Sequence, residues 1–350
     1  MRDEATRQRG DGAMGQRGDE GRREAGSPPE AWVGTAPGKV ILLGEHAVVY
    51  GEPAIAVPVS QVRARATLTP LPAGRGLTLV AADLGQRYPL AQAPDDDPLA
   101  LIVRLTLEHF RAPEPDALLT ITSAIPSAGE LGSGAAVSAA IVRALAGFLG
   151  ESVGPAVVSR LVYEVEKLHH GTPSGIDNTV IAYEMPVYFV RQPQGPPRIE
   201  PFTVARPFRL LIADSGIASP TREVVSDVRR AWEADPDRYA LLFGAVGWMV
   251  EKARQAIAQG EIAALGLLMG GNQRLLQEMG VSHPRLEAMI RAAKAAGARG
   301  AKLSGAGRGG NVIALVDEET EQRVASALRD AGAVRVIATT VRGNGPKPLG

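Results

Sequence analysis

The hydrophobic residues of this chain follow two periodicities, one typical of strands and one typical of helices. Between residues 62 and 68, apolar side chains alternate with Arg63, Arg65 and Thr67, which predicts a half-buried strand. Short apolar runs predict further strands at 39–43, 117–122, 187–190, 210–213, 311–316 and 334–339. Apolar residues three and four positions apart predict helices at 98–111, 134–149, 155–169, 221–233, 239–258, 261–277, 284–296 and 318–331. Since helices and strands are mixed without a regular β-α-β period, we predict an α+β fold with two lobes.

Segment composition suggests where the ordered domains begin and end. Residues 1–30 are polar and dense in mixed charge, so they cannot bury enough apolar surface to fold, and we predict that they are disordered. Ordered sequence should begin near Ala31. A proline-rich stretch within 191–207 separates the two lobes, which we place at 31–195 and 196–350.

Composition excludes several classes of function. The 38 basic and 38 acidic residues balance, which argues against a nucleic-acid or membrane-surface partner. The absence of cysteine excludes disulfides, thiolate metal sites and cysteine nucleophiles. The longest mostly apolar stretch, 240–250, is shorter than the ~20 residues that span a bilayer. We therefore expect a soluble, cytoplasmic, globular protein.

Two glycine-rich segments are candidates for binding an anion. Lys39 enters an apolar run directly after a Pro-Gly turn, but the spacing around it does not match a Walker A loop. The loop at 125–134 contains three glycines and opens an alanine-rich helix. Backbone N–H groups at such a helix start can bind phosphate, although a closely packed, capped helix explains the same pattern.

Two further segments are candidate sites of a different kind. Residues 304–310 formally contain G-x-G-x-x-G, but they run into a strand and not a helix, so the dinucleotide fingerprint is rejected. Glu166 lies in the last turn of a predicted helix, where a carboxylate is unfavourable unless a cation offsets it. Asp177 follows a Pro-Ser-Gly turn. We do not predict a metal site at His169 and His170, because adjacent helix residues point in different directions.

Together, the four segments resemble the motifs of the GHMP small-molecule kinases, and their mevalonate kinase branch in particular. The resemblance spans about residues 32–345 and rests on APGKVILLGEHAVVYG, PSAGELGSGAAVSAA, HGTPSGIDN and KLSGAGRGGNVIAL. It implies an N-terminal ATP-binding lobe like the second domain of ribosomal protein S5 and a ferredoxin-like C-terminal lobe. It also implies ATP-dependent phosphorylation of the 5-hydroxyl of (R)-mevalonate in isoprenoid biosynthesis, with Mg²⁺ as cofactor. Family members are often dimers, so a homodimer is one expected oligomeric state.

The resemblance also implies residue roles. Asp177 matches the catalytic base and Lys39 matches the lysine that lowers the pKa of the substrate hydroxyl. Glu166 matches the magnesium ligand. Three residues match the substrate pocket: Glu45, His46 and Thr221, the last through support of the catalytic aspartate. The ATP phosphates are assigned to Gly129, Leu131, Gly132, Ser133, Gly134 and Ala135.

The chain departs from the family pattern at two motifs. Where the family has G-L-G-S-S, this chain has Glu130 before the motif's leucine and Gly134 in place of a metal-coordinating serine. Arg308 interrupts the glycine run of the last motif, where it could contact phosphate or compensate Glu130. Two alternatives therefore stay open: a kinase for another small alcohol (a sugar, homoserine or phosphomevalonate), and a non-catalytic ATP-binding regulator.

Overall fold

The strands form two separate sheets, each with its own set of helices. The computed structural model describes residues 31–126, 130–170, 173–192, 194–195 and 197–342, without the side chains of residues 169 and 170. The predicted disorder of residues 1–30 falls outside these ranges. The mixture of helices and strands confirms the α+β prediction.

The first sheet carries the N-terminal lobe. Its strands are β1 (Trp32–Leu43), β2 (Pro53–Pro70), β3 (Leu77–Ala81), β4 (Gln86–Pro89), β5 (Ala117–Ser123), β6 (Val187–Val190) and β7 (Arg198–Pro201). They run in the order β4-β3-β5-β2-β6-β7, with β1 paired to β2, and only the β3–β5 pair is parallel among the described strands. The helices of this lobe are α1 (Pro98–Phe110), α2 (Ser133–Phe148), α3 (Pro155–His170) and α4 (Ile176–Tyr183).

The second sheet carries the C-terminal lobe. Its strands are β8 (Phe208–Asp214), β9 (Gly300–Ser304), β10 (Asn311–Val316) and β11 (Arg335–Val341), in the order β11-β8-β10-β9 and all antiparallel. Its helices are α5 (Thr221–Ala234), α6 (Pro236–Gln259), α7 (Ile262–Glu278), α8 (Pro284–Ala295) and α9 (Glu321–Asp330). Because β7 pairs with β6, the first sheet reaches Pro201. The domain boundary between residues 195 and 196 stays a prediction.

Several elements differ from the sequence predictions. The pattern missed α4, which has only eight residues, and β9, whose glycine and lysine do not resemble a buried strand. It also missed β3, β4 and β7, which have only four or five residues each. Strand β7 lies within the proline-rich stretch between the predicted lobes. The helix predicted from residue 318 begins at Glu321. The Asp317 side chain accepts hydrogen bonds from the backbone N–H and the hydroxyl of Thr320, which holds residues 317–320 in a turn.

Helix α6 packs against the N-terminal lobe and joins the two lobes. Tyr50 stacks on Phe243 of α6, with ring centroids 4.2 Å apart. Tyr188 on β6 donates a hydrogen bond to Glu251, and the guanidinium carbon of Arg254 lies 4.3 Å from the Tyr188 ring centroid. Within the described part of the chain, no helix combines the length and hydrophobicity that crossing a membrane requires.

Helix α2 lies directly on β1 because small residues face each other. The buried face of α2 is rich in alanine, including Ala136 and Ala140. Opposite it, Gly34 on β1 has no space for a side chain, since a Cβ there would lie 2.0 Å from the Ala140 carbonyl oxygen and 2.5 Å from the Ala144 backbone nitrogen. This close approach fixes the start of α2 relative to the strand that carries Lys39.

The packing predicts opposite effects for two glycine-to-alanine substitutions. Gly34→Ala should lower the free energy of unfolding by ~2 kcal/mol or more, because backbone atoms must move apart. Gly244→Ala in α6 is the matched control, since a Cβ there meets nothing within 4 Å. This variant should be unchanged or up to ~1 kcal/mol more stable, because alanine favours the helix. Urea unfolding of both variants measures the difference; equal stability of the two would contradict the packing.

Candidate active site

A break in the strand pairing brings Lys39 to the start of α2. The β1–β2 register shifts between Pro37 and Gly38. After the shift, the Lys39 backbone N–H donates to the Leu131 carbonyl oxygen at 2.9 Å. Glycine suits position 38 because a Cβ would lie only 3.1 Å from the same carbonyl. The turn expected at Pro37 and Gly38 is therefore wrong: both residues lie within β1, at a register shift where the strand approaches the glycine-rich loop.

Lys39 forms an ion pair with Asp177. Their Nζ and Oδ2 atoms are 3.1 Å apart, and the lysine side chain is almost completely buried, whereas the aspartate side chain is 31% exposed. Asp177 lies in the first turn of α4, behind Gly175 in the left-handed conformation at φ +89°. A carboxylate is favourable at a helix N-terminus. The turn thus presents a partly accessible carboxylate beside a buried ammonium.

Glu166 brings a second carboxylate to the same place. Its side chain is buried, and burial together with the charge of Asp177 raises the pKa of Glu166 to about 7, against the opposing effect of Lys39. Gly134 faces it, since a Cβ at residue 134 would lie 3.8 Å from Glu166 Oε1. Lys39, Glu166 and Asp177 therefore come together next to the start of α2, as the motif resemblance implied.

The start of α2 lies beside this cluster. Gly132 has φ +72°, and a Cβ there would lie 3.0 Å from Lys39 Cγ. The first N–H bonded within the helix is that of Ala136, which donates to the Gly132 carbonyl. The preceding N–H groups, from Ser133 to Ala135, have no acceptor within the helix and favour an anion.

The other residues predicted to hold phosphate differ in what they offer. The side chain of Leu131 is buried in the core, so this residue contributes backbone atoms only. The Ser133 hydroxyl lies 3.5 Å from the Ser123 hydroxyl. Gly129 lies outside the described residues.

Glu45 and His46 are buried where the two lobes meet. Glu45 forms an ion pair with Lys302 on β9, and both side chains are almost fully inaccessible. Burial raises the pKa of Glu45 and lowers the pKa of Lys302, while each charge favours the other. His46 Nε2 lies 2.8 Å from the Ala306 carbonyl oxygen, so this nitrogen carries the proton of the neutral ring. Burial lowers the pKa of His46, which keeps the ring neutral near pH 7.

Lys302 is a residue that the sequence analysis did not single out. Its side chain is fully buried in a strand of small residues, and its partner Glu45 belongs to a distant motif. A lysine within the short strand that leads into the glycine-rich turn is the one local signal that could have identified it, because a buried ammonium requires an acidic partner.

Thr221 and Arg308 make contacts other than those expected. Thr221, the first residue of α5, donates its hydroxyl to Glu130 Oε1 at 2.5 Å, whereas the resemblance implied support of Asp177. Arg308 pairs with Asp227 and donates to the Gly280 carbonyl, and so it does not compensate Glu130.

This arrangement fits chemistry on a phosphorylated ligand and an alcohol. The described residues contain no cluster of three or more acidic, histidine or cysteine side chains that would hold a metal ion alone. They do contain two carboxylates beside a helix N-terminus, and Mg²⁺ commonly binds one or two carboxylates together with ligand phosphates. A base, a cation and an anion-binding helix start are the groups that phosphoryl transfer requires.

Comparison with known proteins agrees with the geometry. Residues 99–184 match the sequence model of the GHMP kinases N terminal domain, and residues 253–334 match that of the GHMP kinases C terminal domain. The chain is 32% identical over 331 residues to mevalonate kinase of Pyrococcus furiosus, covering 89% of this chain and 96% of the relative. It is 33% identical over 306 residues to mevalonate kinase of Aeropyrum pernix, covering 85% and 92%. The crystal structure of L. major mevalonate kinase in complex with R-mevalonate superposes with a TM-score of 0.77 at 28% identity, covering 90% of this chain and 97% of that chain.

The raised pKa of Glu166 predicts a pH-dependent loss of stability. The carboxyl titrates at about 7 when folded and near its ordinary value of 4.5 when unfolded, so the folded state holds the proton more tightly. The free energy of unfolding should therefore fall by up to about 3 kcal/mol as the pH rises from 4.5 to 7. Glu166→Gln should remove this component and be the more stable protein above pH 7.

Urea unfolding of the metal-free protein across this pH range measures the effect. Glu164→Gln controls for the loss of a carboxylate, because Glu164 is a partly exposed residue of the same helix that pairs with Lys167. Parallel pH profiles for the wild type and Glu166→Gln would show that Glu166 does not titrate in this range.

Proposed function

The chain belongs to the mevalonate kinase family of the GHMP kinases, and we propose that it transfers the γ-phosphoryl group of ATP to the 5-hydroxyl of (R)-mevalonate. The reaction yields 5-phosphomevalonate for isoprenoid biosynthesis. The observation that carries the proposal is the pair of Lys39 and Asp177, 3.1 Å apart beside the start of α2. The alternatives, another alcohol or a non-catalytic regulator, are not favoured, because the relatives that cover most of the chain are mevalonate kinases.

In the proposed reaction, Asp177 takes the proton of the substrate hydroxyl. Its partial exposure lets an alcohol reach the carboxylate, and its ion pair with Lys39 holds it in place. The Lys39 ammonium lowers the pKa of the bound hydroxyl, because a positive charge stabilises the developing alkoxide. The N–H groups from Ser133 to Ala135 hold the phosphate oxygens as charge shifts toward the leaving group.

Glu166 fits the role of magnesium ligand. Burial and the negative charge of Asp177 both disfavour the ionised form of Glu166. A bound cation would offset both effects and stabilise the carboxylate. Bound Mg²⁺ would neutralise the β- and γ-phosphate charge. Since Gly134 supplies no hydroxyl, we propose that Glu166 is the main protein ligand and that phosphate oxygens and water complete the shell. The proposed homodimer and cytoplasmic location stay predictions.

Substrate choice tests the function. With ATP and Mg²⁺, the kcat/KM for (R)-mevalonate should exceed that for galactose, homoserine and phosphomevalonate at least ~tenfold, because a site built around the polar groups of one substrate rejects others. A coupled assay of ADP release measures the four rates. Equal or faster turnover of any other alcohol would overturn the assignment.

Magnesium titration tests the metal assignment. A serine at position 134 fits beside Glu166, since the Cβ is 3.8 Å from Oε1. Gly134→Ser should therefore lower the Mg²⁺ concentration for half-maximal rate, and Gly134→Ala, which fills the same space without a ligand, should not. Glu166→Gln should raise that concentration sharply, because it removes the charged ligand. An unchanged Mg²⁺ dependence in Glu166→Gln would exclude Glu166 as the ligand.

A further inference from the structure

Glu130 occupies a backbone position that favours glycine. Its φ is +52°, in the left-handed region, and the family pattern has glycine at this place. A carboxylate directly before an anion-binding helix start is also unfavourable toward a triphosphate. The unfavourable backbone conformation and the unfavourable charge both suggest that the Glu130 side chain makes contacts that glycine cannot make.

The carboxylate of Glu130 spans from the glycine-rich loop to the C-terminal lobe. Oε1 accepts the hydroxyl hydrogen of Thr221 at 2.5 Å, and Oε2 accepts the backbone N–H of Ala306 at 3.2 Å. Thr221 begins α5, so the carboxylate also lies at the favourable positive end of a helix. Its charge is therefore directed at donors of the C-terminal lobe.

The glycine-rich turn at residues 304–310 of the C-terminal lobe has room for the Glu130 carboxylate, because its glycines have no side chains. A Cβ at Gly305 would lie 1.7 Å from Glu130 Oε2, and one at Gly310 would lie 3.8 Å from the same oxygen. Gly305 has φ +94°, so the turn is formed by a residue type that tolerates both the conformation and the close approach. The glycines of the last motif thus accommodate Glu130.

The loop is held from the other side by β1. The Leu131 carbonyl accepts the Lys39 N–H at 2.9 Å, one residue after Glu130. The two residues that precede Gly132 are therefore fixed to both lobes, immediately before the N–H groups of α2.

We propose that Glu130 is a positioning residue that fastens the phosphate-binding start of α2 to the C-terminal lobe, so that ATP meets a preorganised site between the lobes. This inference rests on the proposed function in naming ATP as the ligand. The opposite expectation, simple repulsion between Glu130 and the triphosphate, predicts that removal of the carboxylate strengthens ATP binding.

Equilibrium binding of a non-hydrolysable ATP analogue with Mg²⁺, measured by calorimetry without mevalonate, distinguishes the positioning role of Glu130 from simple repulsion of the triphosphate. Glu130→Ala should weaken binding about tenfold, as expected for the loss of hydrogen bonds to a charged group. Glu130→Gln should weaken binding less, because the amide oxygen still accepts one of the two hydrogens.

Thr221→Val should have an intermediate effect on binding of the same analogue. The double variant Glu130→Ala with Thr221→Val should bind like Glu130→Ala alone, because both substitutions remove the same contact. Unchanged or tighter binding by Glu130→Ala, or additive effects in the double variant, would overturn the proposal.

Amide hydrogen exchange at Ala306 tests the contact without any ligand. In the nucleotide-free protein, exchange at this N–H should be about tenfold faster in Glu130→Ala than in the wild type, because its acceptor is removed. An unchanged rate would refute the link between the lobes. A wild type that binds no nucleotide but shows the exchange difference would instead refute the proposed function and leave the link intact.

Discussion

The ion pair of Lys39 and Asp177 is the interaction on which the site depends. It joins the middle of β1, just after the register shift between Pro37 and Gly38, to the first turn of α4. The backbone N–H of Lys39 also donates to the Leu131 carbonyl of the glycine-rich loop. The same residue therefore carries a charge into the site with its side chain and fixes the glycine-rich loop with its backbone.

The packing of α2 on β1 stabilises the position of Lys39 relative to the glycine-rich loop. Gly34 and the alanines of α2 bring helix and strand into backbone contact, so the helix start cannot slide relative to Lys39. On the other side, Glu45 with Lys302 and His46 with Ala306 join the first motif to the last. The proposed ATP site thus lies between two lobes that are held together by buried polar contacts.

Sequence patterns predicted most of the regular elements and the residues of the central cluster. Periodicity identified the long helices and the apolar strands, because each has a clear buried face. It missed α4, β3, β4, β7 and β9, because each of these elements has only four to eight residues. The resemblance of the motifs to those of the GHMP kinases, and not the residue types alone, placed Lys39, Glu166 and Asp177 in one site. Long-range partners stayed hidden: neither the pairing of Lys302 with Glu45 nor that of Thr221 with Glu130 leaves a periodic signal in the chain.

A double-mutant cycle on Lys39 and Asp177 tests the central claim most directly. Single-turnover rates with (R)-mevalonate, ATP and Mg²⁺ are compared for the wild type, Asp177→Asn, Lys39→Met and the double variant, with ATP affinity measured separately. If the pair acts as one unit on the hydroxyl, Asp177→Asn lowers the rate by ~10²–10⁴ with little change in ATP affinity, and the double variant is no slower than the slower single variant. A near-wild-type rate for Asp177→Asn, or fully additive losses in the double variant, would contradict the account.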